Sequence, residues 1–130
     1  MSENIAITVN LNGENQPTAK PRLKGIAILS PVSGAASEMI QLHEHETIIG
    51  RDDSVTATIP APDVSRRHAR IYRNGSDFII EDLGSSNGTF IDDVEIVACV
   101  LRNGDTVRIG QHVFYFDRLL VHAENGGVFS

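Results

Sequence analysis

The stretch DVSRRHARIYRNGSDFIIEDLGSSNGTF, residues 63–90, decides how this chain is read. It opens on Ser65-Arg66-Arg67-His68 and closes on Gly84-Ser85-Ser86-Asn87-Gly88-Thr89. Both clusters favour turns, and the apolar run between them, Phe78-Ile79-Ile80, is too short for a helix of ordinary length. Arg51, which ends Ile48-Ile49-Gly50-Arg51, belongs with them. Hydroxyls, guanidiniums and exposed backbone N–H groups at loop ends are the means by which a rigid sheet presents an anion-binding rim.

Outward from this stretch, short apolar runs continue in both directions. Upstream they are residues 25–29, stopped by Ser30-Pro31, then 39–42, 46–50 and 57–59, the last before Pro60 and Pro62. Downstream they are 89–91, 94–101, 106–109 and 112–116. Asn-Gly recurs at 74–75, 87–88 and 103–104, a dipeptide suited to tight turns because both residues tolerate positive φ. Residues 64–72 fit two patterns: Val64, His68 and Ile71 have helical spacing, while Ala69 and Ile71 alternate with Arg70 and Tyr72 as in a strand. The spacing of strands and turns predicts an all-β fold, an antiparallel β-sandwich.

With 130 residues, 41% of them hydrophobic, the chain has enough apolar material for one core. The expected organisation is a flexible leader over 1–22, a domain over 23–120 and a tail over 121–130. Aromatic residues are 5% of the chain and Trp is absent, so Ile, Val and Leu must fill the core, which favours strand. A net charge of -6 and a pI near 5.2 argue against broad nucleic-acid or anionic-membrane binding, which needs a positive field over a whole face. Cys99 is the single cysteine and cannot form an internal disulfide; it reads as a small core residue. No secretory signal pattern and no apolar run near the ~20 residues of a membrane span are present, so a cytoplasmic setting is expected.

A local basic site is compatible with that acidity. Four of the eleven basic residues, Arg66, Arg67, Arg70 and Arg73, fall within eight positions. A phosphate carries about −1.5 to −2 charge and several acceptor oxygens, so its receptor needs a planar guanidinium, a hydroxyl donor and backbone N–H groups from turns. Arg51, Ser65, Arg66, Ser86 and Asn87 supply all three kinds at predicted loop ends. Other motifs are weaker. His43-Glu44-His45 lacks further ligands at metal-site spacing, so no metal or cofactor is expected. Residues 84–88 lack the Lys-Ser/Thr pair of a nucleotide-binding loop and open a strand. His68 stands three residues from Ser65, the spacing of a conceivable base and nucleophile, but no orienting acid is placed by motif.

Gly50-Arg51, Ser65-Arg66-Arg67-His68, Asn87-Gly88-Thr89, Leu101-Arg102-Asn103-Gly104-Asp105 and Ile109-Gly110 together resemble the ordered signature of forkhead-associated (FHA) domains. The resemblance covers about residues 23–119 and implies a β-sandwich of about eleven strands whose apical loops bind phosphothreonine peptides. It implies that residues 64–72 form a loop leading into a strand. It further implies Arg51 and Ser65 as principal phosphate donors, Arg66 as an added contact, Ser86 as a hydroxyl close to the phosphate and Asn87 as the grip on the peptide main chain. Gly50, His68 and Gly88 match positions that shape the loops, His68 as a buried ring bonding loop backbone. Asp63 departs from the pattern, since some members carry a basic residue two before the serine. Asp92-Asp93 stands where Asn-Gly is common, which turn geometry tolerates.

The expected partner is a protein or peptide phosphorylated on threonine. Two alternatives are a phosphorylation-independent assembly module and the regulatory FHA portion of a larger signalling protein. Thr8, followed by Val9, Asn10 and Leu11, is a candidate phosphosite through which the leader occupies its own domain's pocket or a neighbour's.

Overall fold

The computed structural model describes residues 23–36, 38–42, 45–122 and 128–129. Their secondary structure is all β: β1 (Leu23–Ser33), β2 (Ile40–Leu42), β3 (Glu46–Gly50), β4 (Ala57–Thr58), β5 (Ala69–Asn74), β6 (Asp77–Asp82), β7 (Thr89–Ile91), β8 (Val94–Glu95), β9 (Ala98–Leu101), β10 (Thr106–Ile109), β11 (His112–His122) and β12 (Val128–Phe129). Gly25–Leu119 form one compact unit, to which the following description applies. Outside it, the end of β11 pairs antiparallel with β12 through Leu120 opposite Phe129. The leader, with Thr8, lies outside the described residues, as do His43 and Glu44.

Two sheets form the unit. One runs β2-β1-β11-β10-β7-β8 and the other β4-β3-β5-β6-β9. Period-two alternation explains how they meet. On β5, Ala69 and Ile71 are buried, whereas Arg70 lies outside, over the Tyr72 ring and bonded to Glu46 and Glu81. On β11, Phe114 and Phe116 are fully buried while Tyr115 between them is exposed. Leu29, Val107, Ile109, Phe114 and Phe116 of the first sheet join Ile49, Ile71, Phe78 and Ile80 of the second in one apolar cluster. Phe78 and Phe116 meet edge to face across it, ring centroids 6.1 Å apart.

The sandwich matches the expected fold, and local details correct the sequence reading. Residues 94–101 do not form one strand: β8 pairs with β7, β9 pairs with β6 in the other sheet, and Val97 between them is 81% exposed. The chain crosses between sheets there, held by Ile96 N–H to Thr89 O and Asp82 N–H to Val97 O. Ser30-Pro31 does not stop β1, which continues to Ser33. Pairing with β2 ends at Leu29 opposite Ile40, so on that side Pro31 has no ladder partner to fail. The sandwich is not wholly antiparallel, because β4 pairs with β3 in parallel. Residues 64–68 are irregular and lead into β5, the arrangement implied by the family resemblance. Asp92 and Asp93 do form the β7–β8 turn, with φ of 48° and 68°, and Asp92 Oδ1 accepts from both the N–H and the hydroxyl of Thr106. Cys99 is half-buried against the core, and burial, the largest influence on it, pushes its thiol pKa up.

Candidate functional site

The end of β3, the segment after β4 and the β6–β7 loop converge at one end of the five-stranded sheet. Their joint starts with backbone. Past Gly50 the chain leaves β3 but stays bonded to the loop before β5: Arg51 N–H donates to Ser65 O at 2.9 Å, Asp52 N–H to Arg66 O at 3.2 Å and His68 N–H to Ile49 O at 2.8 Å. Gly50 makes this approach possible. A Cβ there would overlap the Arg66 carbonyl oxygen and stand 2.7 Å from its carbon.

Each predicted site residue is then set by its local bonds. Arg51 is exposed, and its Nε donates to Val64 O at 2.9 Å, which fixes the guanidinium plane and leaves both terminal nitrogens as donors. Ser65 Oγ accepts the Ser86 N–H at 3.0 Å, so the hydroxyl's own proton remains to donate. Ser86 is therefore tied in through its main chain, and its side chain is exposed. Asn87 donates from Nδ2 to Asp63 O at 2.8 Å, leaving Oδ1 as an acceptor at the rim. Arg66 and Arg67 are exposed beside Ser65, and neither has a carboxylate within 4.0 Å among the described residues. Arg51 likewise carries no such ion pair among the described residues.

His68 is fully buried beneath the rim. Its Nδ1 accepts the Ser65 N–H at 3.0 Å, so the proton must sit on Nε2, which donates to Gly88 O at 2.8 Å. One ring thus joins the loop that carries Ser65 to the loop that carries Asn87. Gly88 is buried with φ of 89°, a conformation that disfavours a side chain, and a Cβ there would stand 2.9 Å from Phe90.

The sequence reading missed Asp82, the last residue of β6. Its Oδ2 accepts the N–H groups of Gly84 and Ser85, both at 3.0 Å, and its Oδ1 accepts the hydroxyls of Ser85 at 2.6 Å and Thr89 at 2.7 Å. Ser85 Oγ in turn accepts the Gly88 N–H at 2.9 Å. Burial pushes the Asp82 carboxyl pKa up, but these bonds prevail and hold it below the usual carboxylate value. The signal was present as an Asp two and three residues before turn N–H groups, the spacing of an Asx turn.

The geometry offers an anion two or more guanidinium N–H groups and a hydroxyl on a pre-bonded backbone, with a neighbouring amide for a peptide main chain. A separate groove of about 540 Å³, lined by residues that include Met39, Ile40, Ala57 and Pro60, has Glu38 as its one charged lining residue among the described residues.

The FHA domain family model matches residues 47–110. The chain is 34% identical over 104 residues to the FHA domain-containing protein FhaB of Mycolicibacterium smegmatis, covering 79% of this chain and 67% of the relative. It is 41% identical over 73 residues to FhaB of Mycobacterium tuberculosis, covering 55% of this chain and 47% of that protein, so it spans about half the length of that curated relative. A solved structure from a structural and functional analysis of phosphothreonine-dependent FHA domain interactions superposes with a TM-score of 0.66 at 30% identity, covering 71% of this chain and 95% of the other. Fold, ordered motifs and relatives converge: the chain belongs to the forkhead-associated domain family.

Proposed function

We propose that this chain is a phosphothreonine-peptide binding module that recruits partners phosphorylated by Ser/Thr kinases in signalling. The observation that carries the proposal is the pairing of Arg51 and Ser65, each held by one internal bond that leaves its outward donors available. In this reading Arg51 and Ser65 hold the phosphate, Arg66 and Ser86 flank it, and Asn87 Oδ1 takes a main-chain N–H of the peptide. The related structure from work on phosphothreonine-dependent FHA interactions supports the ligand class.

The module is non-enzymatic in this reading. Both His68 nitrogens are engaged with backbone, Nδ1 by the Ser65 N–H and Nε2 by Gly88 O, so the ring is bonded away from the Ser65 hydroxyl. Among the described residues, no helix is long and apolar enough to cross a membrane. A cytoplasmic location and recognition of Thr8 in the leader belong to the same proposal.

The decisive experiment titrates one peptide, with and without phosphate on its threonine, into the parent chain and into Arg51→Ala and Ser65→Ala by calorimetry. Charge-assisted hydrogen bonds contribute about 1.5–3 kcal/mol each, so losing two guanidinium bonds weakens binding about 100-fold or more. Both variants are expected to fold as the parent does. Equal affinity for the two peptides would favour a phosphorylation-independent assembly module, and unchanged affinity in both variants would remove the site assignment.

A further inference from the structure

Asp63 departs from the family pattern, and its contacts explain what it does instead of binding ligand. Its carboxylate is turned into the fold: Oδ2 accepts the Gln111 N–H at 2.8 Å, and Oδ1 lies 3.0 Å from His112 Nε2. His112 is buried, and its Nδ1 accepts the Ala35 N–H at 2.8 Å, so Nε2 carries the proton donated to Asp63. Two glycines make room for this pair. At Gly110, with φ of 58°, a Cβ would stand 2.6 Å from Asp63 Oδ2 and 2.9 Å from its carbonyl oxygen. At Gly34, with φ of 109°, a Cβ would overlap His112 Nδ1 and lie 2.8 Å from its Cα. Residues 35, 63, 87, 111 and 112 are thereby linked by hydrogen bonds, the longest of which joins residues 77 positions apart.

The outlet of this linkage is Asn87, whose Nδ2 is bonded to the main-chain carbonyl of Asp63 itself. That bond selects the amide orientation: with Nδ2 committed inward, Oδ1 is the atom available at the rim. Asp63 has a half-buried side chain, 29% exposed, with both oxygens in use. It is a brace for the loop and does not reach outward as a basic residue at this position would.

The geometry points to Asp63 and His112 as positioning residues for Asn87, setting the orientation in which its amide grips a bound peptide main chain. This rests on the reading of Asn87 given under the proposed function. Both residues act through Asn87, so their removal should cost affinity only while Asn87 is present.

The test is a double-mutant cycle in the full chain, with a phosphothreonine peptide as ligand and Asn87→Ala, Asp63→Ala and their combination as variants. One lost hydrogen bond corresponds to about a threefold to tenfold weakening, expected for each single variant. The combination is expected to be no weaker than Asn87→Ala alone. His112→Ala leaves Asp63 in place and is the second variant, expected to weaken binding in the same direction. The second readout is the Asn87 side-chain amide signal of the free protein by ¹⁵N-labelled NMR, expected to shift in both Asp63→Ala and His112→Ala. Asn87→Ala binding as tightly as the parent overturns the Asn87 role beneath the inference. Losses that multiply in the combined variant, or an Asn87 amide signal unmoved in both variants, overturn the positioning role while leaving the site itself standing.

Discussion

Replacing Gly50 with alanine tests whether the rim depends on close backbone approach. In ordinary surroundings, at a φ that alanine accepts, the substitution stabilises by about 0.4–1 kcal/mol through the unfolded chain. Gly50 has no positive φ, so conformation does not forbid alanine; space does. The added Cβ would stand 2.7 Å from the Arg66 carbonyl carbon and overlap its oxygen, where ordinary contact begins at 3.4 Å. The loop must therefore move by 3.4 − 2.7 = 0.7 Å to clear the carbon alone, and farther to clear the nearer oxygen. Moved directly away, the 3.2 Å bond from Asp52 N–H to Arg66 O opens to 3.9 Å and is lost, and its neighbours at 2.9 and 2.8 Å are strained with it. Loss of two or three backbone bonds at about 0.5–1.5 kcal/mol each outweighs the entropic gain, leaving a net destabilisation of about 1–3 kcal/mol. Urea unfolding should show a lower midpoint at unchanged slope, and amide exchange should quicken at Asp52 and His68 before the core strands respond. Phosphopeptide affinity should fall further than stability, because the displaced loop carries Ser65 and Arg66. An alanine variant as stable as the parent, with undiminished affinity, would refute the close-approach argument.

Three further outcomes are expected. Asp82→Asn keeps one acceptor oxygen but turns the other into an NH2 donor, so either the two hydroxyls or the two N–H groups lose their acceptor, which should cost about 1–3 kcal/mol at neutral pH by urea unfolding. Because the folded Asp82 carboxyl sits below its reference value of 3.8, its contribution is full above that pH and is lost as pH falls through the lower folded value, so the difference between parent and variant should narrow in acid. His68→Ala breaks both bonds that join the two rim loops and leaves a cavity, which should cost about 2–4 kcal/mol in the same assay. Kinase treatment followed by mass spectrometry should find phosphate on Thr8; none there would dispose of the leader as a ligand.

Much of this was legible in the residues. The apolar run at 112–116 marks the start of β11, and the turn dipeptides separate the short strands. What pattern left open at 64–72, the ordered family motifs resolved. Three things were not legible, each for a physical reason. The break at Ile96 and Val97 lies inside an apolar run, and only the partners Thr89 and Asp82 make the chain change sheets there. Pro31 continues β1 past its last pair with β2, so on that side no ladder bond is lost, a fact about the neighbour. Asp63 and His112 are 49 positions apart, and nothing local to either announces the other. Asp82 differs in kind: its turn partners follow within three residues, so its role is readable from the sequence.

The rim is closed by residues drawn from Gly34 to His112, through hydrogen bonds that join the two sheets as well as neighbouring loops. A growing polypeptide therefore holds an incomplete receptor until its His112 has emerged and β11 has docked, however early Arg51 and Ser65 are made. Contacts of such long sequence separation form slowly and together. In the function proposed above, recognition should thus appear late during synthesis.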